Sequence, residues 1–217
     1  MSKFQEQSRV SGRRPRRPVI YIICEGEGTE VIYFKRFRSR NSNVEIRPII
    51  SPQKSAYHLV TNARKLIAQE NYYPEDGDQV WCVFDRNGNT NEDLERAEQT
   101  AKKQKFQIAY SNPAFEIWFL LHFVDQRASL KDADEAIRKL DSKNGIANYK
   151  KTGDYYSLLK DKQPIAIERA SNLLAIHTVN GYAILSRDSN PGTTVGEFVR
   201  MLNERIENQY GVDNSAP

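Results

Sequence analysis

Acidic side chains directly follow two apolar runs of the sequence. Glu25 and Glu27 come after residues 19–24, and Asp85 comes after residues 80–84. Apolar runs without alternation are typical of parallel strands that are covered on both faces. Ligands of an open α/β sheet bind at the carboxyl ends of its strands, and grouped oxygen ligands suit a hard cation such as Mg²⁺ or Mn²⁺. The pattern predicts a cation site at this edge, although acidic loops after strands are also ordinary surface turns.

The second acidic segment offers two oxygen side chains at positions i and i+2. Asp85 and Asn87 can face the same side of the chain and contact one ion. The amide of Asn87 is a weaker ligand than a second carboxylate would be, so we expect Glu116 or Glu27 to complete the site. The same segment is rich in turn-forming residues, and an ordinary loop after a strand remains the alternative interpretation.

A glycine-rich turn lies between the first apolar run and the next helix. Backbone N–H groups at such a turn can hold a phosphate group. The segment from Glu25 to Glu30 lacks the Gly-Lys-Ser/Thr of a phosphate loop and the third glycine of a dinucleotide site. Its carboxylates would repel phosphate unless a cation came with it. The sequence therefore predicts a metal ion and a phosphate group together.

The elements that must position these residues alternate between strand and helix. We predict strands at 19–24, 44–50, 80–84 and 106–110, and helices at about 29–39, 55–71 and 91–104. This order predicts an α/β core with a mostly parallel sheet flanked by helices. A further helix is expected to begin with Asn112 as its N-cap and Pro113 as its first residue, which places Glu116 in its first turn.

The C-terminal half reads mainly as helix. Helices are predicted at about 130–141, 154–160, 164–178 and 195–208, residues 183–185 are too short a run to predict as a strand, and residues 190–194 are expected to be a loop and cap. We interpret residues 129–178 as a helical insertion in one domain of residues 19–217. The ten residues predicted to be buried in the core are Ile20, Ile22, Val83, Phe84, Ile108, Phe115, Trp118, Leu121, Val195 and Val199.

Composition limits the class of protein and its compartment. The 217 residues carry a net charge of +4, and residues 1–18 form a basic arm that we expect to be flexible. The arm either attracts phosphate backbones or keeps the protein soluble; its arginines are Arg9, Arg13, Arg14, Arg16 and Arg17. No apolar stretch approaches the ~20 residues of a membrane helix. Two cysteines within predicted strands favour the cytoplasm, and the scattered histidines do not have zinc spacing.

Several segments together resemble RloB-like proteins, including the AbiLii type. They are Cys24-Glu25-Gly26-Glu27-x-Thr29-Glu30-x-x-Tyr33-Phe34, Val83-Phe84-Asp85-Arg86, Ser111-Asn112-Pro113-x-Phe115-Glu116-x-Trp118-x-Leu120-Leu121-His122-Phe123 and Asn190-Pro191-x-Thr193-x-Val195. The resemblance implies a Toprim-like fold and a place in bacterial phage-defence or restriction loci, often beside an ATPase. It also implies that Glu25 is the acid/base group and Asp85 a metal ligand. Asn87 stands where the wider Toprim group has a second aspartate.

The activity implied is a Mg²⁺-dependent nuclease, acting on DNA or RNA in phage defence or abortive infection. Glu25 and Asp85 are the expected catalytic groups, and Asn87 and Glu116 complete the expected metal ligands. The expected substrate-binding residues are Glu27, Arg86, Lys150 and Lys151. Arg86 has the alternative of an ordinary surface arginine, and the loop of Lys150 and Lys151, which Tyr149 joins as a possible base contact, has the alternative of a solvated loop.

Two other functions stay open at this point. One is a non-catalytic nucleic-acid-binding or adaptor subunit that works with a partner ATPase, and the other is a hydrolase of small nucleotides. An oligomer is compatible with the sequence. His122 stands among apolar residues, so we interpret it as a core histidine rather than a catalytic base.

Overall fold

A computed structural model describes residues 16–40 and 42–207. The strands are β1 (Val19–Cys24), β2 (Glu45–Ile50), β3 (Gln79–Asp85), β4 (Gln107–Asn112) and β5 (Gly192–Thr193). The helices are α1 (Thr29–Lys35), α2 (Ala56–Ala68), α3 (Asn91–Gln104), α4 (Glu116–Leu121), α5 (Ala133–Leu140), α6 (Tyr156–Leu159), α7 (Gln163–Val179) and α8 (Val195–Glu207). Short 3₁₀ turns at Pro74–Asp76 and Lys160–Lys162 complete the list.

The strands form one mixed sheet in the order β2-β1-β3-β4-β5. β1 is parallel to both of its neighbours, β3 is parallel to β4, and β5 is antiparallel to β4. The predicted α/β class with a mostly parallel sheet is confirmed, and the arrangement is consistent with a Toprim-like fold. The order of the strands reverses between β1 and β3, and such a switch point opens a crevice at their carboxyl ends.

The two faces of the sheet carry separate apolar cores, which explains why β1 is apolar throughout. Ile20 and Ile22 face a core shared with α1, α4 and the helices of the C-terminal half. Tyr21 and Ile23 face the other core, under α2 and α3. Successive side chains of a strand point to opposite faces, so a central strand that is covered twice needs apolar residues at every position.

One junction differs from the prediction. β4 continues through Asn112, so this residue is not the N-cap of a helix, and α4 begins only at Glu116. The side-chain amide of Asn112 donates instead to the carbonyl oxygens of Ser186 and Arg187, at 3.1 and 3.2 Å. The predicted loop at 190–194 also contains a strand, because Gly192–Thr193 pairs with the end of β4. The strand–strand contacts outweigh the local preference for a helix start.

Other boundaries differ by a few residues. α1 ends at Lys35 rather than near 39, and α2 ends at Ala68 rather than near 71. α2 has the expected N-cap, since the side chain of Ser55 accepts from the N–H of His58. The longest helix, α7, has 17 residues, and no helix in the ranges described here is long and apolar enough to cross a membrane.

The predicted core is confirmed with one exception. Nine of the ten residues are buried, whereas Ile108 is only half-buried, because it lines a surface hollow beside Ile184 and Leu185. His122 is a core histidine as expected: its Nδ1 lies 2.8 Å from the carbonyl oxygen of Trp118. Burial lowers the pKa of His122 to about 4, so the ring is neutral near pH 7.

A buried carboxylate at the amino end of the sheet holds the start of β1 in place. Most of the predicted basic arm, residues 1–15, lies outside the described residues, but Arg16 donates to both oxygens of Asp78, at 2.9 and 2.8 Å. Asp78 also accepts from the backbone N–H groups of Val19 and Tyr73, at 2.7 and 2.9 Å. Burial alone would raise the pKa of Asp78, but these hydrogen bonds hold it below its usual value.

We predict that Asp78→Asn destabilises the protein by about 2 kcal/mol near pH 7, because an amide cannot accept all of these hydrogen bonds. A carboxylate with a lowered folded pKa contributes stability above its unfolded pKa, and that contribution disappears as the pH falls through the folded value. Urea denaturation should therefore give a difference from wild type that shrinks below about pH 4. Asp76→Asn is the matched control, since Asp76 is exposed and its Oδ2 is 4.0 Å from Nη1 of Arg16, which is too far for a hydrogen bond. An equal loss in both variants would contradict the prediction.

Candidate active site

An acidic cleft opens at the carboxyl ends of β1 and β3, at the switch point of the sheet. It has a volume of about 190 Å³. We call it the acidic cleft; it is lined by Glu25, Gly26, Gly28, Thr29, Glu30, Lys54, Asp85, Asn87, Glu116 and Lys151. This lining brings the two acidic segments together at one edge of the sheet.

The acids arrive on four different elements. Glu25 follows β1, Glu30 lies in the first turn of α1, Asp85 ends β3, and Glu116 begins α4. Parallel pairing of β1 with β3 aligns the ends of both strands, with Cys24 opposite Val83. The helices then bring in carboxylates from above the strand ends.

A buried asparagine fixes the backbone on the β3 side. The Nδ2 of Asn89 donates to the carbonyl oxygen of Asp85 at 3.0 Å, and its Oδ1 accepts from the N–H of Ala56 at 2.9 Å. The loop after β3 is thereby joined to the start of α2. On the other side, the Nζ of Lys54 donates to the carbonyl oxygen of Glu25 at 2.8 Å. Both acidic segments are thus tied to the connection between β2 and α2.

Glu116 is the most deeply buried carboxylate of the cleft, with 2% of its surface exposed. Its Oε1 accepts a hydrogen bond of 2.9 Å from the hydroxyl of Tyr149. The hydroxyl of Thr29 lies 3.0 Å from that of Tyr149 and 3.4 Å from the same Oε1. The Nζ of Lys151 is 4.0 Å away. Glu116 is therefore oriented by α1 and by the loop that carries Tyr149 and Lys151.

Burial and mutual repulsion raise the pKa values of the other acids. The pKa of Asp85 rises to about 8, first because of burial and then because of Glu25, Glu30 and Glu116. Burial, together with Glu116 and Glu25, raises the pKa of Glu30 to about 7. Burial also raises the pKa of Glu25, against an opposing effect of Lys54. The cleft consequently holds protons near neutral pH, which it can transfer or exchange for a cation.

The donor types in the cleft fit a hard divalent cation. Four carboxylates and the amide of Asn87 line it, and Oδ1 of Asp85 is buried with no hydrogen-bond partner in the described part of the chain. Within residues 16–40 and 42–207, however, no three His, Cys, Asp or Glu side chains are arranged so that they could hold one ion. Simultaneous binding by three carboxylates therefore requires their side chains to move closer together. The metal site stays a prediction.

The predicted residues divide into two groups. Glu25, Asp85, Asn87, Glu116 and Lys151 line the acidic cleft, and Glu27, Arg86 and Lys150 do not. Glu27 and Lys150 are exposed, and Nη2 of Arg86 donates to the carbonyl oxygen of Lys131 at 3.4 Å.

Tyr149 differs from its expected role as a base contact. Only 7% of its surface is exposed, so its ring offers no face for stacking. Its hydroxyl instead holds Glu116. A tyrosine between polar residues gives no sequence signal for a buried ring, because the ring is covered by residues distant in the chain, such as Phe119.

Sequence reasoning missed Glu30 and Lys54. Glu30 stands in the first turn of the helix that follows Glu25, so the strand–turn–helix pattern could have predicted that the two carboxylates lie near each other. Lys54 follows β2, whose carboxyl end lies next to that of β1. The same rule that located Glu25 and Asp85 applies to this strand, once the order of the strands is known.

Fold and site together define an α/β protein with an acidic, lysine-flanked cleft at the switch point of its sheet. The family model described as RloB-like protein matches residues 20–202. The chain belongs to the RloB-like family, and the matched range includes every residue of the acidic cleft. No curated protein and no solved structure matches the chain.

We predict that Asp85→Asn stabilises the metal-free protein by about 1–3 kcal/mol near pH 8, because it removes a largely buried negative charge whose Oδ1 has no hydrogen-bond partner among the described residues. The raised folded pKa means that wild type loses stability as the pH rises from the unfolded value near 4 through the folded value of about 8. The amide does not titrate. Chemical denaturation in the presence of a chelator should therefore show that the free energies of unfolding of wild type and Asp85→Asn are equal near pH 4 and differ near pH 8. Asp134→Asn, on the exposed side of α5, should not reproduce this pattern, and a gain independent of pH would contradict the cause given.

We predict that Tyr149→Phe costs about 1.5–3 kcal/mol, because the hydrogen bond to the buried carboxylate of Glu116 is lost while the ring remains. Chemical denaturation measures this loss. Tyr182→Phe removes a hydroxyl from an exposed tyrosine and should change stability little. The combination Tyr149→Phe with Glu116→Gln should cost less than the sum of the single changes; strict additivity would show that the two groups are not coupled.

Proposed function

We propose that this protein is a Mg²⁺- or Mn²⁺-dependent nuclease that cleaves phosphodiester bonds of DNA or RNA in bacterial phage defence or abortive infection. The observation that carries the proposal is the acidic cleft, where Glu25, Glu30, Asp85 and Glu116 lie beside Lys54 and Lys151. Membership of the RloB-like family supports the proposal. We further propose that it acts in the cytoplasm, where the buried free thiols of Cys24 and Cys82 would stay reduced.

The roles within the cleft follow from burial and charge. Asp85, Asn87 and Glu116, with Glu25 beside them, would hold the cation, which supplies neutralisation of the charge that develops on the phosphoryl oxygens. Glu25 has a pKa raised by burial, so it retains a proton closer to neutral pH than an exposed glutamate does. A group of this kind suits proton transfer to or from the attacking or leaving oxygen.

The two lysines of the cleft, Lys54 and Lys151, can attract an anionic substrate that the carboxylates alone would repel. Both line the cleft, and the side chain of Lys151 is 60% exposed. Lys54 is held by the carbonyl oxygen of Glu25, which is neutral, so its charge remains available to a phosphate group. We assign phosphate binding to Lys54 and Lys151.

The size of the cleft favours a polymer over a small nucleotide. Sites that enclose a small molecule usually have about 300–1,000 Å³, whereas the acidic cleft has about 190 Å³. This volume suits one phosphate group with a cation better than a whole nucleotide. A backbone that passes over the cleft needs no deeper pocket.

The second candidate is a non-catalytic nucleic-acid-binding subunit that works with a partner ATPase. Asn87 favours it, because an amide binds a cation more weakly than a carboxylate. The absence of a ready three-ligand group among the described residues favours it too. In this case the fold would retain the cleft without cutting.

Purified full-length protein should be incubated with labelled DNA and RNA in the presence of Mg²⁺ or Mn²⁺. We predict cleavage by wild type and a loss of at least about 100-fold in Glu25→Gln and Asp85→Asn, because one removes proton transfer and the other a metal ligand. Glu75→Gln is the matched control, since Glu75 is exposed and lies in the 3₁₀ turn before β3, at the opposite end of the strands from the cleft.

Cleavage that persists equally in both cleft variants would contradict the assigned roles. Wild type that binds nucleic acid but never cuts, with either cation and with its partner ATPase added, would establish the adaptor instead. Hydrolysis of mononucleotides without polymer binding would establish the small-nucleotide hydrolase.

A further inference from the structure

A basic surface lies at the opposite end of the strands from the acidic cleft. It is a shallow hollow of about 500 Å³, which we call the arginine hollow; it is lined by Arg17, Arg38, Ser39, Arg40, Glu45, Ile46 and Arg47. Arg17 precedes β1, and Glu45 begins β2, so the hollow is at the amino ends of these strands. The six residues of β1 separate the two sites by about 20 Å.

Three of the four guanidinium groups have no carboxylate partner in the described ranges. Arg17 donates through Nη1 to the carbonyl oxygens of Arg40 and Ser42, both at 3.1 Å. Arg38 donates through Nε to the carbonyl oxygen of Ile46 at 3.0 Å. Arg40 is exposed and forms no ion pair with the residues described. Carbonyl partners fix the position of a guanidinium group and leave its positive charge unbalanced.

The fourth arginine is neutralised within the hollow. Arg47 pairs with Glu45 and with Glu70, both at 2.6 Å. Its charge is therefore used to hold β2 to the end of α2, and Glu45 is likewise occupied. One guanidinium group between two carboxylates leaves an excess of one negative charge, so the positive potential of the hollow comes from Arg17, Arg38 and Arg40 and is partly reduced by this excess.

This arrangement suits phosphate groups along a backbone. A guanidinium group presents several N–H donors in one plane and binds phosphate through two of them at once. Arg17 and Arg38 each use only part of their donors on carbonyl oxygens, so the others remain for a ligand. Side chains that are already held lose less conformational entropy on binding. The hollow is wide and shallow, which fits a strand lying across it.

We propose that the arginine hollow is a second contact for the phosphate backbone of the nucleic acid whose cleavage is assigned to the acidic cleft. The inference rests on the proposed function for the identity of the polymer. A separation of about 20 Å equals about six base pairs of duplex at 3.4 Å each. Substrates shorter than this reach only one of the two sites at a time, and longer ones contact both.

The test measures binding without cutting. Fluorescence anisotropy with labelled DNA and RNA of roughly 20 nucleotides or base pairs, in a chelator, gives the dissociation constant between about 50 and 200 mM salt. We expect Arg38→Gln with Arg40→Gln to weaken binding at least roughly tenfold and to reduce the salt slope by about 2, because two phosphate contacts are lost. Lys65→Gln with Lys103→Gln removes the same charge from exposed positions on α2 and α3 and should leave the slope almost unchanged.

Arg40→Gln alone provides a version of the test that keeps the contact of Arg38 with Ile46, and it should reduce the slope by about 1. Equal weakening by the hollow and control pairs, or no polymer binding by wild type, would overturn the inference. The inference would also be overturned if the Arg38→Gln, Arg40→Gln pair weakened binding to vesicles that contain anionic lipid but did not weaken binding to DNA or RNA. Weakened binding by the hollow pair together with a wild type that never cuts would leave the inference standing and remove only the nuclease assignment.

Discussion

Carboxylates that share a small buried cleft repel one another and lose hydration, and the elements around the acidic cleft are arranged to offset this. Asp85 and Glu30 keep protons near neutral pH, with pKa values of about 8 and 7. Glu116 has the hydroxyl of Tyr149 against it instead, and Lys151 stands 4.0 Å away. Two of the acids thus retain protons, whereas Glu116 on α4 is stabilised by groups from α1 and from the loop before α6. The crowding of acids therefore reduces the stability of the metal-free protein, and a cation in the cleft would relieve the same repulsion.

The sheet creates this crowding. The chain forms β2 on one side of β1 and then crosses to build β3 and β4 on the other. Parallel pairing puts the ends of β1 and β3 side by side, and the reversal of direction leaves the crevice between them uncovered by a connection. The apolar cores cover the two faces of the sheet, and one of them includes Tyr149, whose hydroxyl contacts Glu116 in the cleft. Stability can therefore reside in the apolar layers while the strand ends carry residues that reduce it.

The parts that could be predicted from sequence are those that local pattern determines. The apolar runs located β1 and β3, and the side chains just after them, Glu25 and Asp85, meet because parallel strands end at one edge. The role of Tyr149 could not be predicted in this way, since its partner Glu116 is 33 positions away. The strand at Asn112 was also hidden, because an Asn-Pro pair has the local signature of a helix start and only pairing with Gly192 makes it a strand. Lys54 needed the order of the strands, which pattern alone does not give.

The two charged surfaces complement each other in the proposed function, because one offers acid/base groups and the other offers positive charge. An acidic cleft repels a phosphate backbone, and without metal its own lysines are its only cationic lining groups. The arginine hollow would attract the same backbone, and its one lining carboxylate, that of Glu45, is paired with Arg47. Contacts remote from the reacting bond can supply the free energy that brings the bond against unfavourable charges. In the proposed division, the hollow at the amino ends of the strands would provide affinity that depends on salt and length, and the cleft at the carboxyl ends could then keep the crowded acids that the proposed chemistry requires.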